Sequence, residues 1–531
     1  MDVELTLKNY RCFPDTSPAR ISLRPGFTAF VGANNSGKSS IFRFLYEFRP
    51  LFDVLSQPTG KLATALRGEQ EAFHLQSVLD PTEVFCNYNS RDMGIELEFK
   101  GADGESADEV APPPQRVALT IPRNTQNWVA QVFSPRLPDD LKSKDINFSR
   151  TGLLRRGDAE LVSLSCLFQL CQVLAKAIYI GPFRNVINVG GTENYFDIQV
   201  GQHFVASWRR FQAGNIKRHH ELIDRLTEDI RRIFRFGRLQ ILPSEDGTTM
   251  QLMIDGKSFK LTEIGSGMAQ FILVLANAAT KDPSLILIDE PELNLHPSLQ
   301  LDFLTTLSTY STHGVIFATH SMGLARAAAD RIYSFRPLPD GGSQVRELEA
   351  TPRLAEFIGE LSFSGYQELG FDRILLVEGK HDIKTIHQFL RPHKKEHQIV
   401  LLPLGGATLI NESSEAELHE VKRISDNVSA LIDSERDAPD AALPPDRQGF
   451  ADVCKDIGIP CHVLNRRAIE NYFTDRAVKA IKGEKYQALD PYQKRGDAPL
   501  AWAKEENWRI AREMRPEELQ STDLGQFLQS L

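Results

Sequence analysis

The sequence predicts an α/β protein with two sheet-based units in one chain of 531 residues. Three stretches carry that expectation. Leu285-Ile286-Leu287-Ile288 has no polar face, the pattern of a strand buried on both sides of a parallel sheet, and Asp289 and Glu290 follow at its carboxyl end, where open α/β sheets place their ligands. Gly32-Ala33-Asn34-Asn35-Ser36-Gly37-Lys38-Ser39 lies between an apolar stretch, Phe27 to Val31, and helix-compatible residues Ile41 to Phe48. That is the strand–GxxxxGK[ST]–helix arrangement in full. The third stretch, Arg373 to Val377, is again a buried strand that delivers an acid, Glu378, before a helix from about Ile383.

Composition narrows the classes. The length favours two or three domains over one core. A net charge of -9 argues against a generally basic, nucleic-acid-coating protein, so any such contact needs a local patch. None of the six cysteines forms a Cys-x-x-Cys pair, which disfavours a zinc ribbon. A charged region followed by an apolar one is missing at the N-terminus, and no apolar run approaches spanning length. The expected compartment is cytoplasmic, with no membrane partner.

Along the chain, residues 2–7 alternate as an edge or half-buried strand would. Arg11, just beyond, could reach a phosphate or be solvated. In the GxxxxGK[ST] loop, Gly32 and Gly37 let backbone N–H groups turn inward on phosphates, and Asn35 and Ser40 belong to the same cradle. Lys38 would reach the β- and γ-phosphates of ATP, and Ser39 would ligate Mg²⁺. Met93 to Phe99 and Arg116 to Ile121 read as strands, Leu161 to Lys176 as a helix, and Ala177 to Ile180 as a short strand. After that strand, Arg184 could sense phosphate or cap a sheet edge. Trp208 to Arg238 reads as a helical stretch rich in Arg and Lys, either a solvated face with local ion pairs or a phosphate-tracking patch. Ser266 and Gly267 open a long apolar helix whose N–H donors suit an anion. Asp289 would hold a Mg²⁺ water and Glu290 would polarise the attacking water. His320 ends the next buried strand, Val315 to Ala318, and could contact the γ-phosphate.

The order of these pieces over residues 1–336 resembles the ABC-type ATPases, in the branch with SMC-like and RecF-like proteins. The resemblance implies that Ser266 and Gly267 act in trans on nucleotide held by a partner's Gly32–Ser39 loop, and hence a homo-oligomer. It makes His320 the switch histidine and residues 294–297 the dimer-contact loop. Met268 stands where the family signature has a second glycine.

Residues 337–370 read as a linker and connecting helix, with proline and glycine over 337–353. Beyond it, residues 371–475 again alternate strand and helix: Val400 to Leu404 ends in Gly405-Gly406, and Ser429 to Ile432 ends in Asp433-Ser434-Glu435. Glu378, Asp382, Asp433 and Glu435 could converge on one sheet edge. Carboxylates so close repel one another unless cations such as Mg²⁺ or Mn²⁺ sit between them, and a metal pair suits phosphodiester cleavage. Alternatively they are exposed strand-end acids. This part resembles a TOPRIM domain, with Glu378-Gly379 as first motif and Asp433-x-Glu435 as second, where Asp-x-Asp is usual. The resemblance makes Glu470, in Arg466-Arg467-Ala468-Ile469-Glu470-Asn471-Tyr472, a further metal acid and Lys504 the lysine near the carboxyl end. Residues 476–531 are expected as a helical tail.

An ABC-type ATPase domain followed by a smaller TOPRIM domain resembles the OLD (overcoming lysogenization defect) family of nucleases. That implies an ATP-regulated, metal-dependent endonuclease of bacterial antiphage defence, cutting DNA or tRNA, with a possible accessory defence subunit. The other reading is an ATP-binding sensor and scaffold whose TOPRIM unit is weak or inactive.

Overall fold

The computed structural model describes residues 2–100, 111–135, 137, 146–149, 152–156, 159–182, 195–338, 341–348, 373–396, 398–404, 415–425 and 427–531. Arg184, the Gly405-Gly406 pair and the helical segment expected before Leu369 lie outside them. The chain forms two compact units. Residues 1–296, 302–321 and 331–348 make the first; residues 297–301, 322–330 and 349–531 make the second.

The first unit holds two six-stranded sheets. One is antiparallel, in the order Ala19–Leu23, Asp2–Lys8, Met93–Lys100, Arg116–Ile121, Asn127–Phe133, Glu71–Ala72. Asp2–Lys8 is therefore an interior strand and not an edge, since it pairs on both sides. Side-chain alternation reports which face is buried, and says nothing about how many backbone neighbours a strand has.

The other sheet has the order Ile178–Ile180, Leu285–Asp289, Gly314–Thr319, Gly26–Gly32, Arg331–Pro337, Ser343–Leu348, parallel except for its last strand. Every residue of Leu285–Asp289 is buried, as its unbroken aliphatic pattern requires. Part of the expected linker is thus sheet: Ser343–Leu348 pairs back on Arg331–Pro337, and the intervening glycine pair supplies the turn. One apolar core joins the two sheets through Val3, Leu97 and Leu119 on one side and Phe30, Leu285 and Leu287 on the other. Phe42 and Leu45 of the Lys38–Glu47 helix fill the space between them.

Two helical expectations needed division. Residues 208–238 hold parts of two helices, Gly201–Ala213 and Lys217–Ile233, separated at Gly214. Its basic side chains are partly engaged: Glu228 binds both Arg231 and Arg232. The stretch 161–176 divides into a strand end and the helix Ser165–Ala175.

The second unit is built on a four-stranded parallel sheet in the order Ile399–Pro403, Arg373–Val377, Val428–Ile432, Cys461–Val463. The C-terminal segment shares its core: Trp502, Ile510, Leu519, Leu524 and Leu528 pack with Leu375, Val377 and Ile386. The tail is therefore structural, and it brings Lys504 to the sheet.

Candidate functional sites at two sheet edges

In the first unit the Gly26–Gly32 strand runs into the loop and the Lys38–Glu47 helix. Gly37 has φ 97°, and a Cβ there would stand 2.8 Å from Cys12 Sγ, so only glycine fits without displacement. Lys38 folds over its own loop, its ammonium donating to the carbonyls of Gly32 (2.7 Å) and Ala33 (2.9 Å). Burial pulls the Lys38 pKa down, against Asp289, Glu290 and Glu292, which raise it. Ser39 Oγ donates to Asp289 Oδ2 at 2.5 Å, which brings these two residues together. Burial raises the Asp289 pKa, and the Ser39 hydrogen bond opposes that shift. Asn35 is exposed with φ 58°, and Ser40 takes a weak S–H contact of 3.8 Å from Cys12.

Glu290 sits in the left-handed region (φ 52°), with its N–H bonded to the Ala318 carbonyl at 2.8 Å. His320 Nε2 is 3.4 Å from Glu290 Oε1. Glu292 fixes this corner: its Oε1 accepts from Thr319 Oγ1 (2.7 Å) and from the His320 N–H (2.9 Å). Sequence reading passed over Glu292, although it stands in the same acidic run. Ser266 is exposed at the start of the Ser266–Lys281 helix. Gly267 touches the 294–297 loop so closely that a Cβ would lie 2.2 Å from the Asn294 carbonyl oxygen. Arg11 is half-buried and pairs with Glu47 at 2.6 Å.

Residues 1–149 match the family model described as an AAA ATPase domain, and residues 197–326 match the one described as AAA domain, putative AbiEii toxin, Type IV TA system. The first part of the chain is ATPase domain. Similar solved structures include the SMC head domain from Thermotoga maritima, at 17% identity over 66% of this chain and 100% of that one, with a TM-score of 0.34. Another is an SmcHead bound to the C-winged helix domain of ScpA (15% identity, 65% and 97% covered, TM-score 0.36). A third is an Smc head domain with an extended coiled coil, bound to the C-terminal domain of ScpA derived from Pyrococcus furiosus (13% identity, 68% and 98% covered, TM-score 0.36). No curated protein matches the chain. Among the described residues, no helix is long and apolar enough to cross a membrane.

At the carboxyl edge of the second unit's sheet, the structure gathers Glu378, Asp382, Asp433 and Glu470 with Lys504. Glu378 ends one strand and its Oε2 accepts the Asp433 N–H at 3.2 Å. Asp382, in the first turn of the Lys380–Leu390 helix, accepts the Gly379 N–H at 2.8 Å. Asp433 Oδ1 accepts the Ile469 N–H at 3.1 Å, which brings Glu470 alongside. Lys504 Nζ lies 3.4 Å from Glu470 Oε1, an oxygen with no hydrogen bond of its own.

Burial and mutual repulsion shift the ionisation of the cluster. Burial, then the charge of Glu470, pushes the Asp382 pKa up to about 7. Asp433 is raised well above the usual range by burial and by Glu378, Asp382 and Glu470. Burial also raises Glu378, against the nearby Arg447. For Lys504 burial acts downward, but the four carboxylates outweigh it and the pKa is raised.

Glu435 does not join them. Its backbone is left-handed (φ 53°) and its carboxylate is held by Arg467. Among the described residues no group of three or more His, Cys, Asp or Glu side chains is posed to hold a metal ion. Protein donors hold the carboxylates instead. One of these, Arg447, escaped the sequence reading altogether: its Nη2 donates to Glu378 Oε1 at 2.7 Å.

Proposed function

We propose that this chain is an ATP-regulated, divalent-metal-dependent endonuclease of the OLD type, acting on nucleic acid in bacterial antiphage defence. The observation that carries the reading is the buried convergence of Glu378, Asp382, Asp433 and Glu470 with Lys504 at one edge of a parallel sheet. So many acids in a dry site are costly unless cations neutralise them, and hard carboxylate oxygens suit Mg²⁺ or Mn²⁺. The Glu470 oxygen without a hydrogen bond fits a cation ligand. These four residues would hold the metal, which supplies Lewis-acid stabilisation of the attacking and leaving oxygens. Lys504 would neutralise charge developing on the phosphate.

Separately, the first unit would bind ATP at Gly32–Ser40. Lys38 would exchange the carbonyls of Gly32 and Ala33 for phosphate oxygens, and Ser39 with Asp289 would hold Mg²⁺. Glu290 would orient the attacking water, with His320 beside it. Ser266 and Gly267 would close on nucleotide bound by a second copy, so that ATP sets the assembly state. The protein would work in the cytoplasm, alone or with an accessory subunit.

Incubation with plasmid DNA and with total tRNA, in Mg²⁺ or Mn²⁺, tests the reading. Wild type should cut one of them, Glu378→Ala should not, and Lys38→Ala should lose nucleotide control. Cleavage that survives Glu378→Ala would remove the TOPRIM assignment. One observation favours the scaffold reading: Glu435 is paired with Arg467, away from the other acids. No cleavage of either substrate, with ATP hydrolysis intact, would select it.

A further inference from the structure

Arg447 is the buried cation at the carboxylate cluster that the proposed chemistry leaves unused. It comes from the first turn of the Pro445–Ile457 helix and is 4% exposed. Its contact with Glu378 is one-pronged: Nη2 donates at 2.7 Å, while Nε and Nη1 have no hydrogen-bond partner among the described residues. Among the described residues, the nearest other acid oxygen is Asp446 Oδ2, 4.0 Å from Nε. A residue kept only to neutralise Glu378 would present its fork to both carboxylate oxygens, the favoured geometry for an arginine–carboxylate pair. Leaving buried donors unpaired is unfavourable, so they call for an acceptor that the described residues do not supply.

Charge identifies that acceptor. Glu378, Asp382, Asp433 and Glu470 oppose Arg447 and Lys504, so the fully ionised cluster is formally net negative by two charges. Two divalent cations would reverse it to net positive by two. A phosphodiester, a monoanion with two free oxygens, suits that positive charge, lowers it to one, and offers an acceptor for a single free arginine donor. We propose that Arg447 is a phosphate-anchoring residue, whose free Nη1 donor takes an oxygen of the nucleic-acid phosphodiester at the metal cluster. The inference rests on the nuclease reading and assigns it a substrate contact. Arginine cannot serve as base or metal ligand, so its effect belongs to substrate binding.

The test uses the full chain, with bis(4-nitrophenyl) phosphate as diester probe and Mn²⁺ as metal. Wild type, Arg447→Lys and Arg447→Met are compared for Mn²⁺ affinity by calorimetry, for KM and kcat by nitrophenolate release, and for folding by urea melt. Arg447→Met should raise KM about tenfold or more, as loss of a charge-assisted hydrogen bond implies, with Mn²⁺ affinity little changed. Arg447→Lys keeps the charge without the fork and should fall between; if the Met variant does not fold, a KM rise of about threefold in the Lys variant carries the test. An unchanged KM overturns the inference. So does a loss of Mn²⁺ affinity large enough to explain the whole effect, because Arg447 then only supports Glu378. A wild type that hydrolyses ATP yet binds no Mn²⁺ or turns over no diester refutes the nuclease reading itself.

Discussion

Replacing Asp382 by Asn separates the electrostatic strain of the carboxylate cluster from its use. Asp382 is buried among like charges, and its pKa rises from 3.8 to about 7. A raised carboxylate pKa leaves stability intact below the unfolded value, near pH 4, and removes it progressively as pH climbs through the folded value. With a unit of pKa equal to about 1.4 kcal/mol, the ionised group destabilises the metal-free fold by roughly 4 kcal/mol at pH 8. The same linkage gives roughly 3 kcal/mol at pH 6, so wild type should lose roughly 1 kcal/mol relative to the variant between those pH values. Asparagine keeps an oxygen to accept the Gly379 N–H, so the helix start is preserved. Urea melts in EDTA at pH 6 and pH 8, followed by a probe in the second unit, measure the difference. Mn²⁺ should then stabilise wild type and leave Asp382→Asn almost unmoved. A variant less stable than wild type in EDTA, or a gain equal at both pH values, would refute the reasoning.

Three further outcomes follow from the geometry. Gly37→Ala should abolish ATP binding, measured by fluorescent-nucleotide titration, because φ 97° and a Cβ 2.8 Å from Cys12 Sγ force the loop to move. Glu290→Gln should keep ATP affinity while hydrolysis falls about a hundredfold or more, with the second unit's Mn²⁺ binding unaffected; a parallel loss of Mn²⁺ binding would contradict two separate sites. Lys384→Met should cost about 3 kcal/mol in a urea melt, since Lys384 is buried and lies 2.7 Å from Asp330 Oδ1. Adding Asp330→Leu should recover part of that loss, because the carboxylate that Lys384 neutralised is then gone.

Local chemistry was legible in the chain. The Gly32–Ser39 loop, the Leu285–Glu290 strand and the Glu378 and Asp433 strand ends each lie within about ten residues. Spacing and hydrophobic pattern are enough to place such groups on a loop or a strand end. The alternation of strands and helices likewise made both units α/β before any contact was known. Long-range partners were not legible. Arg447 is 69 residues from Glu378 with no motif to mark it, and Lys504, 34 residues from Glu470, was named through the resemblance alone. Nor could spacing show that Glu435 turns to Arg467, because its left-handed backbone reorients the side chain two residues after Asp433. The Ser343–Leu348 hairpin hid behind its proline and glycine, and Asp2–Lys8 gave no sign of its second neighbour. A sequence fixes residue types and local periodicity. Which buried cation meets which carboxylate depends on packing between distant segments, and that packing exists only in the folded chain.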